Sequence, residues 1–389
     1  MKRTNDVFII GIGQTEIGEL WDQSLRHLAA KAVNAAREDA DGIEPEAVFV
    51  GNMLAANASR QANLAALVNE YAGLAGKAEG FTVEAAEASG GAALYAAWNA
   101  IRSGMVDVVA VVGVEKVTDV VGAGIENRLL STGIDSDFEA SEGLTLTGQA
   151  SLLLQRYLYE NAVPREALAG FPIIAHQNAV NNPNAMFRRA IDEKIYTKSI
   201  TSPSEFNTFD LAPNADGAAA LVLVRGDRVP ANLGHKAVRL ASSSYVTDRL
   251  AIHDRRDPLF FEAAAVSTQQ ALLKAGINLS MVDFFEYSDN TTLHSILSLE
   301  AAGFAPRGEG WKLANDGTLG LEGSLPVATM GGHKARGFPL GASGVIQVVE
   351  ACLQLRGEAG KNQIPHASIA MTQSMAATAS AVATQILTV

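Results

Sequence analysis

The chain has 389 residues, of which 48% are hydrophobic and 19% charged, and this composition is typical of a globular protein large enough for two core-bearing units. Its net charge of -12 argues against a general nucleic-acid binder and an anionic membrane surface, because no excess of cations neutralises phosphates. One cysteine, Cys352, leaves no internal disulfide, and the histidines show no metal-ligand spacing. We therefore expect no metal, no nucleic-acid partner and no membrane partner.

The start of the chain lacks the apolar core and cleavage site of a secretory signal, and no apolar run is long enough to span a bilayer. A cytoplasmic location is the resulting expectation. Buried strands are predicted at 7–13, 47–52 and 106–115, with a helix over 90–102 before the last of them. This alternation indicates a largely parallel sheet covered by helices.

The middle of the chain changes character, because it is rich in Asn, Pro and Ser and carries few strand patterns. We interpret residues 117–213 as a helical and looped insertion over an active site. Residues 214–235 supply the last strand of the first unit and a linker. A second strand-helix series follows over 236–389, so the sequence predicts a duplicated α/β core with a first unit at 1–116.

The stretch 83–98 reads VEAAEASGGAALYAAW and predicts a buried strand end, a tight turn on Ser89–Gly91 and an Ala-rich helix. A carboxylate, Glu87, enters that turn. Cys352 follows valines at helical spacing, so a buried structural thiol is favoured over a nucleophile. His333 lies in a Gly-rich loop, and a solvent-exposed histidine is the favoured interpretation.

Several segments together resemble the thiolase superfamily, in its archaeal and sterol-carrier-type branch. They follow the family's order over nearly the whole chain and are FIIGIGQTEIGEL, VVGVEKVTD, NPNAMFR, FDLAPNADGAAALVL, GGHKARGFPLGASG and QLRGEAG. The resemblance implies a thiolase fold, in which two duplicated α/β halves form a five-layer αβαβα arrangement.

The same resemblance implies that the family's catalytic positions are altered here. Glu87 stands in the turn where thiolases have their acyl-carrying cysteine, and a carboxylate is a poor acyl carrier. Ser288, Asp289, Asn290 and Thr291 match the segment that supplies an oxyanion-hole side chain in the family, so a shorter hydroxyl, that of Ser288, replaces the family's histidine or asparagine. Phe338 replaces the histidine of the Gly-His-Pro motif, and the closing Gly-Gly turn reads as SMAA over 374–377. Ordinary Claisen chemistry is therefore not expected.

Three functions stay open, and the first is an acyl-coenzyme A enzyme of aldolase or lyase type. In that enzyme Glu87 acts as general base, with its pKa raised in an apolar pocket beside Phe338. Related steroid side-chain aldolases rely on tyrosines, for which Tyr245 and Tyr287 are available. The second function is a non-catalytic scaffold or regulatory subunit, and the third is an acetyl-coenzyme A acyltransferase.

The resemblance also implies the ligands and partners. We expect no tightly bound cofactor, a coenzyme A thioester as substrate or ligand, and a homodimer or dimer of dimers. A zinc-ribbon/OB-fold accessory protein is a further expected partner.

Overall fold

Nine strands form one mixed sheet in the part of the chain that the structure, a computed structural model, describes: residues 6–122, 125, 129–199 and 206–389. Their order across the sheet is β3-β2-β4-β5-β1-β6-β9-β8-β7. The strands are β1 (Val7–Gln14), β2 (Ala47–Gly51), β3 (Glu79–Val83), β4 (Val108–Glu115), β5 (Gly217–Arg225), β6 (Val238–Thr247), β7 (Phe284–Glu286), β8 (Ile369–Ala376) and β9 (Ala381–Thr388).

The sheet consists of two halves with the same strand arrangement. β2 and β4 are parallel neighbours in the first half, and β7 and β8 are parallel neighbours in the second. In both halves an antiparallel strand, β5 or β9, then separates this pair from the first strand of the half. The halves join where Val7–Ile9 of β1 pairs with Val238–Leu240 of β6. The duplicated α/β core predicted from the two strand-helix series is confirmed. The prediction of a largely parallel sheet was wrong, because β5 and β9 each run antiparallel to both of their neighbours and β1 and β6 pair antiparallel.

Helices cover the sheet and also fill the space between its halves. The α-helices are α1 (Leu25–Asp39), α2 (Ala55–Ala58), α3 (Leu64–Tyr71), α4 (Ser89–Arg102), α5 (Leu146–Glu160), α6 (Gly170–Ala179), α7 (Glu193–Lys198), α8 (Glu262–Ala275), α9 (Thr292–Ala302) and α10 (Ser343–Arg356). α4 and α10 pack against both halves, α1 and α3 cover the first half, and α8 and α9 cover the second. The five layers follow from this packing.

The packing of β4 on both of its faces explains why its sequence is an almost continuous apolar run. Val109 and Val111 pack toward α4 and α10, whereas Ala110 and Val112 pack toward α1. Successive side chains of a strand point to opposite faces, and both faces of this strand are covered by helices.

The turn before α4 differs from the prediction. β3 lies at the sheet edge and is largely exposed, so the strand end is not buried. The chain turns at Ala86, whose φ of 46° lies in the left-handed region. Ser89–Gly91 already form the first turn of α4. Gly90 and Gly91 serve close packing, because an added Cβ would lie 2.9 Å from the carbonyl oxygen of Gly341 at the first position and 2.2 Å from Oγ of Ser374 at the second.

The segment predicted as an insertion contains α5, α6 and α7, and the first two pack on the outer side of the second half. Residues 123–124, 126–128 and 200–205 of that segment, and residues 1–5, lie outside the described residues. None of the described helices has the length and apolar character needed to cross a membrane.

Candidate functional site

Glu87 is held between the two halves of the molecule. It lies two residues before α4 and is only 2% exposed. Its Oε2 accepts a hydrogen bond of 2.8 Å from the backbone N–H of Ala377, which follows β8. A residue of the first half is therefore fixed by the loop that follows β8 in the second half.

Ala377 also connects to a histidine that the sequence did not single out. The Nε2 of His294 lies 2.8 Å from the carbonyl oxygen of Ala377, and its Nδ1 lies 2.7 Å from Oγ1 of Thr291. Because a carbonyl only accepts, Nε2 carries the proton and Nδ1 accepts from the threonine hydroxyl. Burial lowers the pKa of His294 to about 4, so the imidazole is neutral at neutral pH.

His294 borders a cavity of about 160 Å³. The cavity is lined by Leu130, Leu146, Thr147, Ala150, Leu211, Ala212, Asn214, Asn290, Thr291, His294 and Phe338. Asn290 is 7% exposed, and its Oδ1 has no hydrogen-bond partner among the described residues. A buried, unpaired amide at a cavity wall is available to a ligand, since leaving it unpaired costs free energy.

Phe338 forms another part of the cavity wall and stacks on His333, with ring centroids 4.5 Å apart. His333 is 1% exposed, so the prediction of a solvent-exposed loop histidine was wrong. The Gly-rich loop folds inward as a turn of helix over Gly332–Arg336, which buries the side chains that a loop pattern suggests are outside. Burial, with Arg336 and Lys334 nearby, lowers the pKa of His333 well below its usual value.

Ser288 and Asp289 do not line this cavity, and they hydrogen-bond instead to the backbone of neighbouring segments. Ser288 Oγ accepts from the N–H of Met375 at 3.1 Å, which ties it to β8. Asp289 Oδ1 accepts from the N–H of His333 at 2.6 Å. Burial raises the pKa of Asp289 despite the nearby Lys334. Their hydrogen bonds position the two loops that carry Ala377 and Phe338.

The other sequence candidates lie elsewhere. Tyr245 packs beside Ala88 and Ala376 below the turn, and Tyr287 is buried in the second half. Neither tyrosine lines the cavity. Cys352 is fully buried on α10, which confirms the structural interpretation, and burial raises the pKa of its thiol to about 12.

The structure therefore brings Asn290 and Phe338 together at one cavity. Glu87 is not among the residues that line it, and is connected to the cavity wall through Ala377 and His294. His294 is the residue that the sequence analysis missed. Its only local signal is its position three residues after Thr291, the N-cap of α9, which puts both side chains at the same helix end.

The fold and site together define an α/β protein of two duplicated halves whose candidate site lies where loops of both halves meet. Residues 7–205 match the thiolase N-terminal domain, and residues 244–389 match the thiolase C-terminal domain-like family. The chain belongs to the thiolase superfamily, as its sequence motifs predicted.

Two curated relatives span nearly the whole chain. An acetyl-CoA acetyltransferase of Methanothermobacter thermautotrophicus is 37% identical over 383 residues, covering 98% of this chain and 99% of the relative. The benzoylsuccinyl-CoA thiolase subunit BbsB of Thauera aromatica is 30% identical over 379 residues, covering 96% and 95% respectively. Among solved structures, an Ltp2-ChsH2(DUF35) aldolase superposes with a TM-score of 0.82 at 22% identity, covering 99% of this chain and 98% of that one. This likeness shows the fold.

Proposed function

We propose that this chain binds an acyl-coenzyme A thioester and cleaves a carbon–carbon bond in it, with Glu87 as general base. The observation that carries the proposal is the buried Glu87 carboxylate, which accepts from the N–H of Ala377. The carbonyl of Ala377 in turn accepts from His294, which lines the same cavity as Asn290 and Phe338. Both curated relatives are named for coenzyme A thioesters, and the aligned solved structure is titled an aldolase. These names support the ligand class and the type of reaction.

A β-hydroxyacyl thioester is the substrate that suits a carboxylate base. Glu87 takes the proton of the β-hydroxyl, the β-carbon becomes a carbonyl, and the Cα–Cβ bond breaks. Its electron pair moves onto the thioester as an enolate. The protonated Glu87 then returns its proton to Cα, so the products are a carbonyl compound and a shortened acyl thioester. A base of this kind contributes about 10²–10⁴-fold in rate.

The enolate oxygen requires a hydrogen-bond donor in the cavity. Asn290 is the candidate, because its amide lines the cavity and its Oδ1 is unpaired among the described residues. The two ends of an amide are interchangeable by rotation, so the NH₂ group can face the ligand. Phe338 supplies an apolar wall that excludes water from the reacting carbons.

Glu87→Gln is the test of the base. Glutamine keeps an oxygen for the Ala377 N–H and similar volume, but it does not accept a proton. We expect coenzyme A thioester binding, measured by calorimetry, to change only a few-fold. Carbonyl release from a β-hydroxyacyl-coenzyme A should fall by about 10²-fold or more. Equal rates for the two proteins would show that Glu87 is not the base.

A non-catalytic subunit is the second candidate function. The observation that favours it is Phe338, which packs on His333 and places no proton-transfer group at that wall. One relative is itself named a subunit, and the aldolase title names a second component, DUF35. We therefore propose an accessory protein as partner. Thioester binding without turnover, alone and with such a partner, would favour this function over the lyase.

A further inference from the structure

A second, larger cavity of about 740 Å³ lies beside the candidate site. It is bordered by α6, α7 and the segment from Phe206 to Pro213. Its lining is mostly apolar and consists of His176, Phe187, Arg189, Ile191, Ile195, Phe206, Thr208, Phe209, Leu211, Ala212, Pro213 and Lys334. A cavity of this size with apolar and aromatic walls suits a small organic ligand.

Of the ionisable side chains that line this cavity, two hydrogen-bond to the protein backbone and one is exposed. Lys334 directs its Nζ to the carbonyl oxygens of Asp210 and Asp289, at 2.9 and 2.8 Å. His176 bonds through Nδ1 to the carbonyl of Arg189, and burial lowers its pKa, which keeps it neutral at neutral pH. Arg189 itself is exposed. The buried, mostly apolar walls therefore suit an uncharged hydrocarbon.

The large cavity is next to the smaller one. Leu211 and Ala212 line both, so one short segment is their common wall. The N–H of Ala212 donates to the carbonyl of Asn290 at 2.9 Å, which fixes this wall to the residue that faces the proposed reacting atoms. A thioester with its carbonyl near Asn290 has the larger cavity within reach of its acyl group.

Apolar side chains at the mouth indicate that the cavity is accessible. Phe187 is 42% exposed and Ile195 is 37% exposed, and both belong to its lining. Phe209 and Phe187 also flank the His176 ring, with centroids 5.5 and 6.2 Å away. Exposed apolar groups that continue into an apolar cavity are typical of a ligand-binding site.

We propose that this cavity binds the hydrocarbon part of the acyl group, and that the substrate is a long-chain or ring-containing acyl thioester, not an acetyl thioester. That the ligand is a thioester rests on the proposed function. That its acyl group is a large hydrocarbon rests on the size and lining of the cavity. An acetyl group is too small to contact the aromatic walls, whereas each additional buried methylene contributes to affinity.

The test compares acetyl-coenzyme A with octanoyl-coenzyme A by calorimetry. For the wild type we expect a dissociation constant at least about tenfold lower for the octanoyl thioester. Ile195→Glu places a charge at the mouth of the cavity and should remove most of that difference by weakening octanoyl-coenzyme A binding. Thr197→Glu is the matched control, since Thr197 is exposed on the same helix and outside the lining. It should keep the wild-type difference.

Binding of a neutral fluorescent probe, N-phenylnaphthylamine, distinguishes failure of the acyl-cavity proposal from failure of the proposed function. Equal affinities for the two thioesters, or equal effects of the two glutamate variants, would overturn the acyl-cavity proposal and leave the proposed function standing. Absence of binding by both thioesters would overturn the proposed function. In that case, probe fluorescence that Ile195→Glu abolishes and Thr197→Glu retains still supports a hydrophobic site, and no probe binding overturns it. Circular dichroism verifies that both variants are folded.

Discussion

At the scale of single residues, His294 is the group whose titration is best defined by its surroundings. Its imidazole hydrogen-bonds to Ala377 and Thr291, and Lys334 and Arg255 add positive charge nearby. Burial is the main cause of its pKa of about 4, compared with an ordinary 6.5. Between these values the unfolded chain binds more protons than the folded one, so stability falls as the pH falls.

His294→Gln therefore reduces the loss of stability in acid. Between about pH 6.5 and about pH 5, we expect the wild type to lose about 1.5 kcal/mol more unfolding free energy than the variant does. Urea unfolding at several pH values measures this difference. Glutamine can still donate to the Ala377 carbonyl, so the variant should fold.

His253→Gln is the control for that measurement, because His253 is more than half exposed. It should show the same pH dependence as the wild type. If His294→Gln also follows the wild-type curve, His294 is not neutral in the folded protein, and the hydrogen bond from its Nε2 to Ala377 does not set its protonation state.

At the scale of elements, α4 and α10 pack closely where both begin. A Cβ added at Gly344 would lie 2.5 Å from the backbone nitrogen of Gly91 and 2.8 Å from Oγ of Ser374. Backbone at this distance leaves no room for a methyl group. Glycine is therefore required here to bring the two central helices together between the halves of the sheet.

Gly344→Ala is predicted to destabilise the fold by about 1–3 kcal/mol through overpacking, even though alanine favours a helix by about 1 kcal/mol. Chemical denaturation measures the change. Gly234→Ala is the control, because Gly234 is exposed and a Cβ there meets nothing within 4 Å. It should change stability by less than about 0.5 kcal/mol. If Gly344→Ala leaves the free energy of unfolding unchanged, the two helices can move apart at little cost in free energy.

At the scale of the whole molecule, β3 is an exposed edge of the sheet, and an apolar surface lies beside it. Phe81 on this strand is 38% exposed and stacks on Phe49, and Met105 nearby is 54% exposed. All three residues line one shallow depression in the surface. An unprotected edge with apolar neighbours favours pairing with another chain. We propose that the expected homodimer forms through this edge.

Met105→Glu tests the dimer. In size-exclusion chromatography with light scattering, the wild type should have twice the mass of one chain. The variant should shift toward the monomer mass, because each copy would bury a charge in the interface. Leu273→Glu is the matched control, since Leu273 is 80% exposed and lies on α8 in the other half. A shift in the control, or none in Met105→Glu, would place the interface elsewhere.

The sequence alone predicted the duplicated architecture and part of the site, but not the antiparallel strand pairs within the sheet. Strand patterns, helix periodicity and the order of motifs are local properties, so they predicted the duplicated α/β core and the thiolase fold. The same kind of reasoning placed Cys352 in the core, because its neighbours repeat at helical spacing. It also named Asn290 and Phe338, which the structure brings to one cavity.

Only the tertiary structure decided which groups contact one another. The hydrogen bond from Ala377 to Glu87 joins residues 290 positions apart, and no local pattern encodes such a contact. His333 was expected outside, yet it is buried, because the surrounding chain packs over a loop whose glycines suggest exposure. His294 and the large cavity were missed for the same reason. Their surroundings come from segments distant in sequence, and packing in three dimensions determines burial, pKa and the shape of a cavity.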